Sequence, residues 1–367
     1  MTLWTPPRSP SPPPAFGPDP ALLHRLTHDL TPMQAQHLAV LTPQGITANS
    51  AALAGALRFH RFPLHPVTGL PLQAADDGGL SGLLGGLVRA LTPGKDDAEG
   101  KRGVEVHCRD EKSGPYRRVY SRPGYAYQSS TVYLPSDVLG EMKEEKEAGH
   151  GDTAFIYAGG WGGKGGAVDA GFQHGRYMGR PQDDWAPFFL VQQVGGPSAI
   201  TVSDEKQAGG APWRLLAGQE AQLTFWVTKD ADLTVLSMSM QGETSVDRAP
   251  ASLTLRAPID ARFGWSAEGG SNILKRMTTI GQKYGQQNLS TGSFMKAVRW
   301  QNSQIGTTEA AAGAWTAEQT GGYCTFPSAE TAVAGAADES LRSDGQGAKW
   351  SIQFQNAGNE TASIFLK

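Results

Sequence analysis

Residues 155–174 read Phe155-Ile-Tyr-Ala-Gly-Gly-Trp-Gly-Gly-Lys-Gly-Gly-Ala-Val-Asp-Ala-Gly-Phe-Gln-His174. The two flanking runs, Thr153–Ala158 and Ala167–His174, have the composition of β-strands. The glycines between them supply backbone angles that other residues avoid, so the chain can reverse there. The stretch therefore predicts a β-hairpin beside which the other strands are arranged.

From about residue 103 the chain continues with short segments in which apolar and polar residues alternate, as in β-strands. One charged segment, Leu139–Ala148, is instead predicted to be an exposed helix. So many short strands with so little helix predict an all-β protein built as two packed antiparallel sheets. Besides the hairpin, the predicted strands are Val104–Cys108, Arg118–Tyr120, Tyr125–Leu134, Trp185–Val194, Ala221–Lys229, Asp232–Gln241, Ala251–Arg256, Asn272–Tyr284, Phe294–Gln304, Lys349–Gln355 and Ser363–Lys367.

The first hundred residues differ in character from the rest. Residues 1–20 are rich in proline and are predicted to form a disordered tail. Residues 21–102 are predicted to form a small helical extension and linker, with helices from Asp19, from Thr31 to Leu41 and from Thr47 to Phe59. Residues 103–367 are then the β-sandwich domain.

Composition and charge exclude several classes of protein. The formal net charge is -3, whereas a nucleic-acid binder would normally carry a basic patch or stripe. No apolar run approaches the roughly 20 residues of a membrane-spanning helix. The first residues carry prolines in place of the basic start and apolar core of a secretory signal, so no signal peptide is visible.

The chain has two cysteines, Cys108 and Cys324, which lie far apart in sequence. They could form a disulfide that closes a long loop, which fits an oxidising compartment, or they could be two buried thiols. Neither belongs to a Cys/His spacing typical of a metal site.

Three stretches carry a resemblance to known proteins: Tyr157–His174, Ile273–Gln282 and Val298–Gly306. They resemble the YrpD-like proteins, an uncharacterised family of exported bacterial proteins. From about residue 103 the order of strands also resembles the concanavalin-A-like jelly roll of legume lectins, laminin-G modules and several polysaccharide lyases. The resemblance implies a concanavalin-like sandwich and an extracellular or envelope-associated protein, and it implies no reaction.

The tryptophans suggest a carbohydrate-binding role. Sugar rings stack on aromatic faces, while polar side chains hydrogen-bond the hydroxyl groups. Trp161 lies in the glycine turn and Trp185 beside two aspartates, and both are candidate ligand contacts. In a strand, Asp169 and Gln173 share one face and are the candidate polar contacts. Trp226, Trp300 and Trp350 lie in alternating strands and are predicted to be core residues.

An enzymatic alternative uses neighbouring residues. Cleavage of a uronic-acid polymer by β-elimination needs a base, an acid and a group that neutralises the carboxylate. His174 and Tyr177 could act as base and acid, and Arg176 or Arg180 could neutralise the charge. No pair of glutamates has the strand spacing that retaining glycosidases of this fold use.

No cofactor is predicted, and the glycine-rich turn leads into a strand, unlike a phosphate-binding loop. Calcium is a weaker alternative, for which the loop candidates are Asp183, Asp184, Asp230 and Asp232. The main functional hypothesis is a non-catalytic, lectin-like or envelope-associated module that binds a glycan or another polymer. The alternatives are a polysaccharide lyase and a structural or interaction protein.

Overall fold

The computed structural model describes most of the chain from Pro20 onward, with several gaps. The described residues are 20–42, 45–60, 106, 108, 111–136, 138–139, 152–177, 180–181, 184–192, 198–203, 211–259, 263–282, 285–327, 342–343 and 348–366.

These residues form two short helices and many strands. The helices are α1 (Pro20–Arg25) and α2 (Ala51–Ala56). The strands are β1 (His37–Thr42), β2 (Gly45–Ala48), β3 (Arg58–His60), β4 (Tyr116–Ser121), β5 (Tyr127–Leu134), β6 (Val138–Leu139), β7 (Thr153–Trp161), β8 (Ala167–His174), β9 (Arg176–Tyr177), β10 (Arg180–Pro181), β11 (Asp184–Gln192), β12 (Ser198–Ser203), β13 (Leu215–Leu216), β14 (Gln219–Asp230), β15 (Leu233–Glu243), β16 (Pro250–Ile259), β17 (Ile273–Gly281), β18 (Phe294–Gly306), β19 (Gly313–Ala314), β20 (Thr320–Phe326), β21 (Arg342–Ser343), β22 (Ala348–Asn356) and β23 (Asn359–Leu366).

The strands pair into two main sheets. The large sheet has the order β2-β1-β16-β15-β14-β5-β18-β23-β22-β21, with β6 and β19 attached to β18. The small sheet has the order β20-β4-β17-β7-β8-β11-β12-β3, with β13 attached to β11. The pairs are antiparallel except for β1 with β16, which is parallel. The predicted hairpin is β7 paired with β8 at the centre of the small sheet.

The main core lies between the two sheets. Every second residue of each central strand faces it, such as Ile156 and Ala158 of β7 and Phe225 of β14. β7 packs on β14, and β8 packs on β15. This arrangement is a β-sandwich, as the alternating sequence pattern predicts.

The N-terminal extension differs from the helical cluster that the sequence predicts. The prediction of a second helix at Thr31–Leu41 is wrong, because residues 37–42 form β1 and pair in parallel with β16. Burial of the apolar run Leu38–Leu41 beside β16 stabilises the strand by more than helix propensity would stabilise a helix there. Further on, α2 lies within the third predicted helix, and β3 then joins the other sheet through β12. Residues 37–60 thus contribute strands to both sheets.

The structure joins the two cysteines. Cys108 and Cys324 form a disulfide with their Cα atoms 5.1 Å apart. Cys324 lies on β20, at the edge of the small sheet. The bond therefore ties the region around residue 108 to that edge.

Several sequence predictions fall outside the described residues. These are most of the proline-rich tail, the linker before residue 102, most of the Val104–Cys108 strand and nearly all of the Leu139–Ala148 helix. In the described part of the chain no helix is long and apolar enough to cross a membrane.

Candidate functional site

The small sheet has a second face, directed away from the large sheet, which we call the outer face. On β7 the side chains of Phe155, Tyr157 and Trp161 point to this face, while Ile156 points into the main core. Apolar residues of β4, β11, β17 and β20 complete two clusters around them. The outer face is therefore covered and apolar over much of its area, unlike the solvated outer face of a simple sandwich.

Asp169 and Gln173 lie on the outer face of β8. Their neighbours Val168, Ala170 and Phe172 belong to the main core, so the alternation of the strand places the two polar side chains on the opposite side. This is the shared face that the sequence predicts. Both side chains are buried.

A lysine of β17 meets Asp169 across the sheet. Gly159 of β7 is paired with Lys275 on one side and with Asp169 on the other. The lysine reaches across β7, and its Nζ lies 2.6 Å from Oδ1 of Asp169. The ring of Trp161 lies 4.4 Å from the same Nζ, close enough for a cation–π interaction.

A second ion pair lies beside the first. Nη1 of Arg118 on β4 donates a hydrogen bond of 3.1 Å to Oε1 of Glu111. The guanidinium of Arg118 also lies over the rings of Tyr116, at 4.9 Å, and Trp161, at 5.5 Å. Trp161 thus contacts both cations. We call Glu111, Arg118, Asp169 and Lys275 the outer-face charge cluster.

Burial shifts the proton affinities in this cluster. Burial raises the pKa of Asp169, and the nearby Lys275 only partly offsets this. Burial also lowers the pKa of Lys275, although Asp169 opposes that shift. The pKa of Glu111 is raised, again mainly by burial. The surroundings therefore favour the neutral forms of the two carboxyl groups and the amine more than water does.

Several polar atoms at this face have hydrogen-bonding capacity that the described residues do not use. Gln173 donates from Nε2 to the carbonyl of Pro187 at 3.1 Å, but its Oε1 accepts no hydrogen bond from them. Neither carboxylate oxygen of Asp169 takes part in a hydrogen bond with the described residues, and neither does Nζ of Lys275. The ion pair compensates Oδ1 of Asp169 and Nζ of Lys275. Oδ2 of Asp169 and Oε1 of Gln173 have no such partner among the described residues, and a buried group of this kind calls for an explanation such as a bound ligand or water.

The structure corrects the expectation that Trp161 lies in the turn. β7 continues three residues past the predicted strand and ends at Trp161, which is only 3% exposed. The extension is possible because Gly159 and Gly160 take positive φ values of 139° and 146°. A side chain at Gly160 would place its Cβ 2.0 Å from the carbonyl oxygen of Ile273.

The other predicted aromatic contact, Trp185, lies on the opposite side of the sheet. It belongs to the main core, its indole Nε1 donates to the carbonyl of Pro135 at 3.2 Å, and its ring packs 5.0 Å from that of His174. The structure therefore places Trp161, Asp169 and Gln173 on one face of the sheet, opposite Trp185 and His174. Only Asp169 lies near Trp161, because Gln173 is six positions along β8 from Ala167, the partner of Trp161. Of the predicted core tryptophans, Trp300 and Trp350 are buried, whereas Trp226 is only partly buried.

Of the residues in the lyase hypothesis, only His174 has a described side chain. His174 faces the main core, on the other side of β8 from Asp169 and Gln173. Arg176 and Tyr177 form β9, which pairs with Arg180 and Pro181. The side chains of these three polar residues lie outside the described part of the structure.

The predicted calcium ligands are dispersed. Asp184 is buried and pairs with Arg214 at 2.6 Å, and Asp230 pairs with Arg25 at 2.8 Å. Asp183 lies outside the described residues, and Asp232 is exposed. Within the described ranges, no group of three or more His, Cys, Asp or Glu side chains could hold a metal ion.

Sequence reasoning missed Lys275, Arg118 and Glu111. The signal for the first two was a cation inside a strand that is otherwise apolar, in Ile273-Leu-Lys-Arg-Met and Tyr116-Arg-Arg-Val-Tyr. A buried lysine or arginine is rare unless it is paired. Glu111 lies outside any strand, and no local pattern predicts its partner.

No protein-family model matches the chain, and no curated protein matches its sequence. The YrpD-like resemblance therefore has no support from these comparisons, and the argument for function depends on the site itself.

Proposed function

We propose that the protein is a non-catalytic binding module that holds a glycan or another envelope polymer at the outer face of the small sheet. The observation that carries the proposal is the unused hydrogen-bonding capacity of Oδ2 of Asp169, near the ring of Trp161, and of Oε1 of Gln173 further along the same face of β8. The concanavalin-like jelly-roll topology, the YrpD-like resemblance and an extracellular or envelope location belong to the same proposal.

The chemistry of this face suits a polymer rich in hydroxyl groups. Carboxylate and amide oxygens accept hydrogen bonds from hydroxyls, and an indole ring offers a flat apolar surface to a sugar ring. The charge cluster contains two cations and two carboxylates, so it has no strong preference for the sign of a ligand's charge. These properties favour recognition by hydrogen bonds and stacking over recognition of a charged group.

The ligand must displace some of the chain to reach this face. Asp169 and Trp161 are 1% and 3% exposed. Val106 packs on the cluster around Trp161, and Glu111 pairs with Arg118. Because Cys108 lies between them and is bonded to Cys324, this segment would have to move about the disulfide to expose the indole.

No observation favours the lyase over the binding module, because His174 packs against Trp185 of the main core and the side chains of Arg176, Tyr177 and Arg180 lie outside the described part of the structure. Among the described residues, no contact supports calcium binding or a structural role either.

A retention assay tests the proposal. The oxidised protein is mixed with immobilised cellulose, chitin, xylan, alginate and peptidoglycan, and the bound fraction is measured. We expect retention on at least one polymer, and weaker retention of Trp161→Phe, because a phenyl ring offers a smaller stacking surface to a sugar than an indole does. The matched control is Tyr323→Phe, because Tyr323 is an exposed aromatic on β20.

Two results would contradict the proposal. One is failure to bind any polymer in the panel. The other is binding that Trp161→Phe leaves unchanged while Tyr323→Phe weakens it, which would move the site to the edge of the sandwich. Circular dichroism of each variant shows that the fold is intact.

A further inference from the structure

We infer that Lys275 and Asp169 are covalently joined by an intramolecular isopeptide bond between Nζ of the lysine and Cγ of the aspartate. This inference goes beyond the proposed binding function and does not depend on it. Lys275 of β17 and Asp169 of β8 would then form a self-modification site within the small sheet.

The geometry of the contact is the first argument. Nζ of Lys275 lies 2.6 Å from Oδ1 of Asp169, within the range of a strong charge-assisted hydrogen bond. Yet the angles at this contact are not those of a hydrogen bond, since neither the amine nor either carboxylate oxygen makes one with the described residues. The amine is therefore held against the carboxyl group with which it would react, so little further approach is needed.

The sheet holds the two groups in this position. Lys275 on β17 and Asp169 on β8 are each paired with Gly159 of the intervening strand β7. A side chain at that position would collide with the backbone of Val168, next to Asp169. Because both strands are fixed by their hydrogen bonds to β7, little freedom of motion must be lost before the groups react.

The surroundings favour condensation over hydrolysis. Lys275 is fully buried, Asp169 is 1% exposed, and the rings of Trp161 and Tyr157 lie 4.4 and 5.5 Å from the amine. Water is therefore largely excluded from the reacting atoms. Burial also lowers the pKa of the amine and raises that of the carboxyl group, which increases the neutral amine and the protonated acid that the reaction needs.

Glu111 is the group best placed to move the protons. Its carboxyl group interacts electrostatically with both Lys275 and Asp169, and it is held by the hydrogen bond from Arg118. In the reaction the neutral amine attacks Cγ, and the Nζ–Cγ bond forms. Glu111 accepts a proton from the nitrogen and returns one to the departing carboxyl oxygen, which leaves as water. No oxidant, reductant or cofactor is needed.

The product would tie β8 to β17 across β7. A covalent link between distant parts of the chain limits the freedom of the unfolded state, as a disulfide does. The oxygen of Asp169 that stays becomes an amide carbonyl and can still accept a hydrogen bond. The bond is therefore compatible with the proposed binding function.

Intact-mass spectrometry of the full chain, denatured and with its disulfide reduced, tests the inference. We expect a mass lower than that of the sequence by one water molecule. Digestion should then give a branched peptide that contains both Lys275 and Asp169. The variant Lys275→Arg should show the full sequence mass, because a guanidinium does not condense with the carboxyl group.

The role of Glu111 is tested separately with Glu111→Gln, which keeps the size of the side chain. We expect the rate of bond formation to fall about 100-fold or more. A wild-type chain with the full sequence mass would overturn the inference, and so would a loss of water that maps to other residues. The wild-type measurement decides the matter even if a variant does not fold. It is also independent of whether any polymer binds.

Discussion

Glu360 is the buried counter-charge of two arginines that lie between the two sheets. Its carboxylate, on β23 of the large sheet, accepts hydrogen bonds from Arg117 at 2.6 and 2.9 Å and from Arg276 at 3.1 Å, and both arginines lie on the small sheet. Arg276 also donates from Nε to the carbonyl of Ala357 at 2.9 Å. All three side chains are buried, so each compensates charge that water cannot reach.

Replacing Glu360 with glutamine leaves two buried guanidinium groups without a counter-charge. We expect the free energy of unfolding to fall by about 3–5 kcal/mol. Urea unfolding followed by fluorescence measures the change. The matched control is Glu220→Gln, because Glu220 is exposed and lies 3.9 Å from Arg299, a pair worth at most about 1 kcal/mol. Equal losses for the two variants would contradict this account.

The same residue gives the stability a dependence on pH. Burial raises the pKa of Glu360, but Arg276 and Arg117 outweigh it and hold the pKa below the ordinary value of 4.5. A lowered pKa stabilises the fold above the unfolded value and loses that effect as the pH falls through the folded value. We therefore expect the stability difference between wild type and Glu360→Gln to shrink below about pH 4.5. A difference that stays constant from pH 7 to about pH 3 would contradict this.

At the scale of elements, β7 is the strand that builds the candidate site. Its main-core side carries small and branched residues, and its outer side carries Tyr157 and Trp161 with Gly159 between them. The two glycines at its end allow the neighbouring strands to approach closely. At Gly159 a Cβ would lie 2.1 Å from the carbonyl oxygen of Val168 on β8.

We expect Gly159→Ala to destabilise the protein by about 3 kcal/mol or more, because the side chain is both strained at positive φ and in collision with β8. It should also reduce the isopeptide bond, since the collision with Val168 would move β8, and Asp169 with it, away from β7. Thermal unfolding measures the first effect. The control is Gly55→Ala in α2, where a Cβ meets no atom within 4 Å and should be neutral or stabilise by about 0.5–1 kcal/mol. Equal melting temperatures for the two variants would contradict the role of Gly159.

The sequence predicts most of these elements, because an alternating pattern reports directly which side of a strand is buried. The hairpin of β7 and β8, and the long strands β14, β15 and β18, all lie where alternation places them. The glycine-rich strand β20, in contrast, has too few side chains to show a period. The run that forms β1 follows the helix-start signal of Thr31 and Pro32, yet it forms a strand that pairs with β16 and β2.

The candidate site is predictable only in part, for a related reason. Asp169 and Gln173 lie two positions from Gly171 on the same strand, so a local rule finds their shared face. Their partners come from β4 and β17 and from the segment of Glu111, and no local rule connects these. The burial of Trp161 also depends on strands from elsewhere in the chain.

At the scale of the molecule, the N-terminal segment links the two sheets. β1 extends the large sheet through β16, and β3 extends the small sheet through β12. Before them, Asp29 pairs with the buried Arg256 of β16 at 2.6 Å. The segment is therefore part of the folded unit wherever the structure describes it.

A chain that starts at residue 61 should lose much of its stability, because β1 covers Leu253 and Leu255 at the edge of the large sheet. We expect a lower melting temperature and aggregation through the exposed edge strand. Size-exclusion chromatography and thermal unfolding measure both. A chain that starts at Thr31 keeps β1 to β3 and should lose less stability than the chain that starts at residue 61. A stable, monomeric chain from residue 61 would contradict the integration of this segment.

The central claim is that the outer face of the small sheet binds a polymer. Its most direct test is calorimetric titration of oligosaccharides from the retained polymer into wild type, Gln173→Met and the exposed control Gln353→Met. Loss of the buried amide should weaken binding about tenfold, equal to about 1.4 kcal/mol, while the control on β22 leaves it unchanged. Equal affinities for wild type and Gln173→Met, in a protein that is folded and binds, would contradict the claim.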